Sequence, residues 1–187
     1  TGELMVNQFD STTSVDVTIL FDVADPYILK NENLVEESVR IVSSLATRLI
    51  RQKMPVRVVG NATVADGVSR NVTVPDGMAG GTSALDESGA FCAYYPAGAG
   101  DADDLNRKLA CMEVGTVRFS AAELLKEELG SGTDGRTYIF VSKNQEEETM
   151  EMVSRFVSAN RQVLWVLPIL KGQEVSELNV PNVKIVP

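Results

Sequence analysis

The chain has 187 residues, a net charge of −9 and no histidine. This length suits a single domain, and a composition of 44% hydrophobic and 23% charged residues excludes wholesale disorder. The balance of 17 basic against 26 acidic residues argues against a nucleic-acid partner and against charge-driven binding to an anionic membrane. Without histidine there is no histidine-activated nucleophile and no histidine-ligated zinc. No apolar run approaches the about 20 residues that span a bilayer.

Hydrophobic patterning predicts a strand, a helix and a second strand in the first third of the chain. Residues 15–22 (VDVTILFD) form an almost continuous apolar run that ends on Asp22, which is typical of a strand covered on both faces. Residues 34–53 carry apolar side chains at helical spacing, with Asn33 as the predicted N-cap. Residues 56–59 (VRVV) form a second buried strand. This order is the βαβ unit of a parallel sheet.

The next part of the chain is rich in glycine. We expect residues 62–100 to form a long glycine-rich loop or insert, of the kind that is usually functional or mobile. Within it, residues 71–74 (NVTV) can form a short edge strand that returns antiparallel to the second strand. Asn61 and Asn71 each begin an Asn-x-Thr pattern, which is a glycosylation signal only in a secretory pathway.

The second half of the chain repeats the alternation of helices and strands. Helices are predicted over 101–112 and 120–129, and the second opens with the capping box Ser120-x-x-Glu123. A buried strand over 137–142, a helix over 144–160 and strands over 162–169 and 182–186 follow. The whole order predicts a single α/β domain over residues 1–187. Its sheet is doubly wound, Rossmann-like and mostly parallel, with helices on both faces and one short antiparallel edge strand.

Polar residues follow the strands at the edge where such sheets bind ligands. Asp22 and Asp25 follow the first strand, and Ser142 and Asn144 follow the third. Neither a dinucleotide fingerprint nor a P-loop occurs in the sequence. Asp22 and Asp25 can supply a phosphotransfer nucleophile and a metal ligand. A magnesium-dependent phosphohydrolase that uses these two residues is therefore one alternative for the function.

Four segments resemble the C-terminal part of a bacterial family, domain-of-unknown-function family 58: GELMVNQF, VDVTILFD, LVEESVRIVSSLATRLIRQKMPVRVVGNA and DDLNRKLACMEVG. The resemblance runs from Gly2 to about Ile169 and implies a von Willebrand factor A-like domain. It also implies the C-terminal, cytoplasmic part of a longer membrane-anchored bacterial protein, whose transmembrane helices lie before Thr1. In that family the gene often neighbours a MoxR-type AAA+ ATPase, which is the partner the resemblance suggests.

Domains of the von Willebrand A type commonly bind magnesium at a metal-ion-dependent adhesion site. That site takes Asp-x-Ser-x-Ser after the first strand, a threonine from a later loop and an aspartate after the central strand. Here Asp22 matches the first aspartate, but Ala24 and Pro26 replace the serines, and Ser142-Lys143-Asn144 stand where the last aspartate is expected. The resemblance therefore implies an eroded site with no metal. Any magnesium that does bind would take as ligands Asp22, Asp25 and Thr82.

We therefore expect a non-catalytic protein–protein interaction module that needs no cofactor and contacts a membrane only through segments outside this chain. The predicted partner-binding face lies at the carboxyl end of the sheet and comprises Asp22, Asp25, Tyr27, Thr82, Ser83, Ser142 and Asn144. Besides the phosphohydrolase, a metal-dependent adhesion domain with a non-standard magnesium site stays open. Only the interaction module predicts indifference to magnesium.

Overall fold

A computed structural model describes residues 16–25, 31–64, 90–131, 135–173, 175 and 182–187. These residues form a mixed α/β fold of seven strands and four helices. The strands are β1 (Val17–Phe21), β2 (Val56–Val64), β3 (Ala90–Tyr95), β4 (Met112–Val117), β5 (Thr137–Val141), β6 (Gln162–Pro168) and β7 (Val183–Val186). The helices are α1 (Glu32–Arg51), α2 (Ala102–Ala110), α3 (Ala121–Gly130) and α4 (Glu147–Ser158). None of these four helices is both long and apolar enough to cross a membrane.

The sheet is mostly parallel, with β1 near its centre. The strand order is β3-β2-β1-β5-β6-β7, and β4 also pairs with β2. Pairing is parallel from β2 through β1, β5 and β6 to β7, whereas β3 and β4 run antiparallel to β2. Because β1, β2 and β5 are parallel neighbours, their carboxyl ends meet at one edge of the sheet. That edge carries the candidate site.

Helices cover both faces of the sheet. Successive side chains of a strand point to opposite faces. Ile19 and Phe21 of β1 pack with α1 and α2, and Leu20 packs with α3 and α4. Every residue of β1 is buried as a result. The predicted α/β class and the mostly parallel sheet are therefore confirmed.

Side-chain caps set where the helices begin. Asn31 caps α1, because its Oδ1 accepts a hydrogen bond from the Leu34 backbone nitrogen at 3.3 Å. The predicted cap, Asn33, lies inside the helix, which starts earlier than the sequence suggested. The predicted capping box of α3 is present: Ser120 Oγ accepts from the Glu123 nitrogen at 3.1 Å, and Glu123 Oε2 accepts from the Ser120 nitrogen at 2.8 Å.

The predicted loop over 62–100 is wrong over residues 62–64 and 90–95, which are strands. β2 continues to Val64, and Ala90–Tyr95 forms β3, which runs antiparallel to β2. The segment AFCAYY is apolar and aromatic, as strands are, but its glycine-rich surroundings concealed it. The predicted helix over 101–112 ends at Ala110, and β4 follows it without having been predicted. The predicted strand over 71–74 lies outside the described residues.

A close contact across Gly60 fixes the end of β1. Gly60 pairs in register with Phe21 on one side and with Phe91 on the other. The two rings meet edge to face, with centroids 5.5 Å apart and planes at 71°. A Cβ atom on Gly60 would lie 2.3 Å from the Phe21 ring. Only glycine permits this approach, which holds Phe21 directly before Asp22.

Candidate functional site

The candidate site lies where the parallel strands β1 and β5 end, beside the middle of β2. Pairing of β1 with β5 aligns their last residues, and pairing of β1 with β2 places Gly60 of β2 opposite the last residue of β1. This register brings together Asp22 after β1, Asn61 in β2 and Ser142 after β5. All three side chains are fully buried. We call Asp22, Asn61 and Ser142 the strand-end cluster.

Three protein donors bind the Asp22 carboxylate. Its Oδ1 accepts hydrogen bonds from Asn61 Nδ2 at 2.6 Å and from the Ala24 backbone nitrogen at 2.9 Å. Its Oδ2 accepts from Ser142 Oγ at 2.8 Å. Both carboxylate oxygens are therefore engaged inside the protein, and neither faces solvent.

Asn61 connects the strand ends to the segment before α3. Its Oδ1 accepts from the Val23 nitrogen at 2.9 Å, and its Nδ2 also donates to the Phe119 carbonyl at 3.0 Å. Its own carbonyl accepts from the Arg118 nitrogen at 2.9 Å. A side chain buried in this way is inaccessible to glycosylation in the folded chain.

Burial dominates the electrostatics of Asp22. Desolvation raises the pKa of its carboxyl above the ordinary value of 3.8, because loss of water penalises the charged form. Hydrogen bonds from Ser142, from the Ala24 nitrogen and from Asn61, and the charge of Lys143, act in the opposite direction. The pKa is raised on balance, so Asp22 holds its proton to higher pH than an exposed aspartate does.

A buried ion pair lies beside the strand-end cluster. Lys143 Nζ is 2.7 Å from Asp25 Oδ1, and their side chains are 3% and 11% exposed. Asp25 Oδ2 accepts a hydrogen bond from the Asn31 backbone nitrogen at 2.5 Å. The pair therefore joins the exit from β1, the cap of α1 and the loop after β5.

The loop after β5 is held by successive short turns. Ser142 Oγ accepts from the Asn144 nitrogen at 3.0 Å, and Asn144 Oδ1 accepts from the Glu146 nitrogen at 2.9 Å. Asn144 Nδ2 donates to Glu146 Oε2 at 3.2 Å, and the Ser142 carbonyl accepts from Trp165 Nε1 at 3.1 Å. Such side-chain bonds to the backbone fix the path of the chain into α4.

The exposed surface around the cluster is acidic where α4 begins. Glu146, Glu147 and Glu148 are exposed there, and their charges suit the positive end of the helix dipole. Glu123, in the first turn of α3, is exposed as well, and Arg118 is an exposed cation before that helix. We call Glu146, Glu147 and Glu148 the acidic rim.

The structure places the predicted site residues in two groups. Asp22 and Ser142 are brought into hydrogen-bond contact, and Asn144 is buried next to them. Asp25 is partly exposed and paired with Lys143. Asn61 was not among the predicted site residues, although a buried amide on a strand needs hydrogen-bond partners. Three further predicted residues lie outside the described residues: Tyr27, Thr82 and Ser83.

The described residues do not fit a magnesium site. Magnesium needs several oxygen ligands in octahedral geometry, but both oxygens of Asp22 already accept hydrogen bonds from the protein. The Lys143 ammonium next to Asp25 repels a divalent cation. Among the described residues there is no group of three or more His, Cys, Asp or Glu side chains that could hold a metal ion.

Comparison with known proteins does not place the chain in a family. No family model and no curated protein matches the chain. Among solved structures, the chain is similar to proximal thread matrix protein 1 from the mussel byssus. The TM-score is 0.49 at 11% sequence identity, over 93% of this chain and 43% of that one. A second crystal form of that protein gives a TM-score of 0.42 at 11% identity, over 83% and 38%. The chain thus spans less than half of that protein, and a likeness at this level assigns this chain neither a family nor a function.

Proposed function

We propose that the chain is a non-catalytic protein–protein interaction module in which a fixed polar cluster replaces a metal site. The observation that carries this proposal is the state of Asp22. Its carboxylate is fully buried and accepts three hydrogen bonds from the protein. A catalytic or metal-binding carboxylate needs a side open to the substrate or ion, and Asp22 has none.

The proposed architecture is a doubly wound, von Willebrand A-like domain. The strand order, the parallel centre of the sheet and the helices on both faces support it. The sequence resemblance adds the context: a cytoplasmic domain of a membrane-anchored bacterial protein that works with a MoxR-type AAA+ ATPase. Recognition by the module would then depend on the shape and charge of its surface.

The contact surface that we propose is the rim of the sheet edge, because the strand-end cluster itself is buried. The acidic rim is exposed at the start of α4 and is held by the bonded loop that precedes it. A basic patch on the partner complements such a surface, and rim charges act mainly on association rate and salt dependence. Asp22, Ser142 and Asn144 would support this surface from below and would not contact the partner.

Magnesium titration separates this proposal from both metal-dependent alternatives. The adhesion domain and the phosphohydrolase both need Asp22 to reach a magnesium ion, and its burial weighs against them. We expect the melting temperature of metal-stripped protein to be unchanged by magnesium or manganese. Saturable binding below ~1 mM, with the stabilisation that ligand linkage requires, would contradict the proposal. A phosphatase assay would then separate the two alternatives.

A pull-down with the MoxR-type ATPase of the same cell tests the partner and the surface together. The double variant Glu147→Lys/Glu148→Lys reverses two of the three charges of the acidic rim, and we expect it to bind several-fold less ATPase and with weaker salt dependence. The matched control is Asp103→Lys/Glu127→Lys, which makes the same charge change at exposed positions on other helices. Equal retention by both variants would contradict the proposed surface, and no retention by the wild type would contradict the proposed partner.

A further inference from the structure

The outer edge of the sheet at β7 carries backbone groups that no described residue binds. β7 is the last strand of the sheet and pairs with β6 alone among the described strands. The Asn182 carbonyl accepts a hydrogen bond from the Trp165 nitrogen at 3.0 Å, and the Val186 carbonyl accepts from the Ile169 nitrogen at 2.9 Å. These two bonds show that the backbone groups of Asn182 and Val186 face β6.

The alternate residues of β7 face the other way. Backbone groups alternate in direction along a strand, so those of Val183 and Ile185 point away from β6. Each of these two residues offers one N–H and one C=O. The Ile185 side chain is 42% exposed as well, whereas Val183 packs against the core beneath α3 and α4. An extended peptide recognises such an edge by adding a strand to the sheet, with main-chain bonds for affinity and side-chain contacts for specificity.

Lys184 determines which strand fits this edge. Its side chain is exposed, and no carboxylate of the described residues forms an ion pair with it. If two β7 strands paired antiparallel through Val183 and Ile185, the two Lys184 side chains would lie directly opposite each other, which is destabilising. A register shifted toward the chain end brings in Pro187, which has no N–H to donate. Lys184 therefore opposes pairing with a second copy and favours a strand that carries a carboxylate at this position.

We propose that the β7 edge binds an extended segment of a partner protein in which an acidic residue stands between two apolar ones. The segment adds to the sheet antiparallel to β7, its carboxylate beside the Lys184 ammonium and its apolar side chains beside Val183 and Ile185. This inference goes beyond the proposed function, since the acidic rim takes a basic partner and the β7 edge takes an acidic one. Neither surface needs the other.

The test measures binding of a synthetic peptide, acetyl-Ser-Thr-Val-Glu-Val-Thr-Ser-amide, by fluorescence anisotropy or calorimetry. We expect a dissociation constant below about 1 mM. The same peptide with lysine in place of glutamate should bind about fivefold more weakly, and the exposed-site variant Lys184→Glu should reverse this preference. Methylation of the two valine nitrogens should abolish binding, because these N–H groups face β7. Methylation of the glutamate nitrogen, which faces away, is the matched control and should leave binding in place.

Ile185→Pro removes one outward N–H and leaves the bonds from β7 to β6 in place, so it should bind the peptide about tenfold more weakly. Failure of the wild type to bind either peptide would overturn the inference, as would equal binding of both peptides or binding that ignores methylation of the valines. A wild-type dimer that Ile185→Pro dissociates would also overturn it, because a second copy would then occupy the edge. None of these outcomes bears on the pull-down with Glu147→Lys/Glu148→Lys, so failure of this inference and failure of the proposed function are distinguishable.

Discussion

Asn61 Nδ2 donates a 2.6 Å hydrogen bond to Asp22 Oδ1, and this bond joins two neighbouring strands at the candidate site. The same amide holds the Val23 nitrogen and the Phe119 carbonyl. One buried side chain therefore orients the carboxylate, the chain leaving β1 and the segment that leads to α3. The order of this sheet edge depends on a network of hydrogen bonds that the protein supplies itself.

Replacing Asn61 by alanine should cost about 3 kcal/mol of unfolding free energy. The change leaves the Val23 nitrogen, the Phe119 carbonyl and one Asp22 oxygen without this partner, and each buried unpaired group costs about 1–3 kcal/mol. Urea denaturation measures the loss. The control is Asn106→Ala, which removes only a half-buried bond from Ser43 Oγ and should cost about 1 kcal/mol. A loss for Asn61→Ala no larger than that of the control would contradict this account.

Asp22 should make the stability of the wild type depend on pH in a defined direction. Its pKa is raised in the folded chain by burial, so the folded chain binds the proton more tightly than the unfolded chain. The contribution of Asp22 to stability is therefore fully present below its ordinary pKa of 3.8 and is lost as pH rises through the folded pKa.

The isosteric variant Asp22→Asn isolates this effect, since asparagine does not titrate. The unfolding free energy of the wild type minus that of Asp22→Asn should fall as pH rises above 3.8. Thermal or urea melts of both proteins at matched pH values measure the difference. A difference that grows with pH would mean that the hydrogen bonds and the charge of Lys143 outweigh desolvation.

The main elements of the fold were predictable because their patterns are local. Residues 15–22 and 137–142 are short apolar runs, which indicate buried strands. Residues 34–53 carry apolar side chains at helical spacing, which indicates a helix, so each pattern predicts the structure of its own segment. β3 and β4 are no shorter than β1 and β5. They were not found because both pair with β2 from distant positions in the chain. These strands form because they pair with β2, and the intrinsic strand preference of a segment does not predict such pairing.

Only those site residues that directly follow a strand could be predicted from the sequence. Asp22 and Ser142 come directly after apolar runs, so the sequence placed them at the edge of a parallel sheet. Asn61 lies within β2, and only the register that pairs Phe21 with Gly60 brings it beside Asp22. Register is set by the packing of a whole strand, so no short pattern around Asn61 could reveal its role.

Gly60→Ala should destabilise the chain by about 2 kcal/mol or more. The new methyl group would lie 2.3 Å from the Phe21 ring, and forcing atoms into a packed core costs about 1–3 kcal/mol. The control is Gly130→Ala at the end of α3, where a Cβ meets nothing within 4 Å and an alanine should be neutral or slightly stabilising. Differential scanning calorimetry of both variants decides the matter. Equal melting temperatures would mean that Phe21 moves freely away from Gly60.

A buried ion pair outside the candidate site provides a test that separates the stability of the fold from partner binding. Arg57, near the amino end of β2, has its guanidinium 2.6 Å from Glu128 Oε2 on α3, and the side chains are 10% and 0% exposed. Arg57→Met should cost about 3–5 kcal/mol, because it removes the counter-charge of a buried carboxylate. The double variant Arg57→Met/Glu128→Leu should recover most of that loss, since two apolar side chains of similar size replace the pair.

The same double variant should bind the partner as the wild type does, because the pair is buried and lies toward the amino end of β2, outside the acidic rim that we propose as the contact surface. Urea denaturation measures the recovery, and the pull-down with the ATPase measures binding. A double variant as unstable as Arg57→Met would show that Glu128 has a role beyond its charge. A stable double variant that no longer binds would place part of the contact surface near α3, and not at the edge where β1, β2 and β5 end.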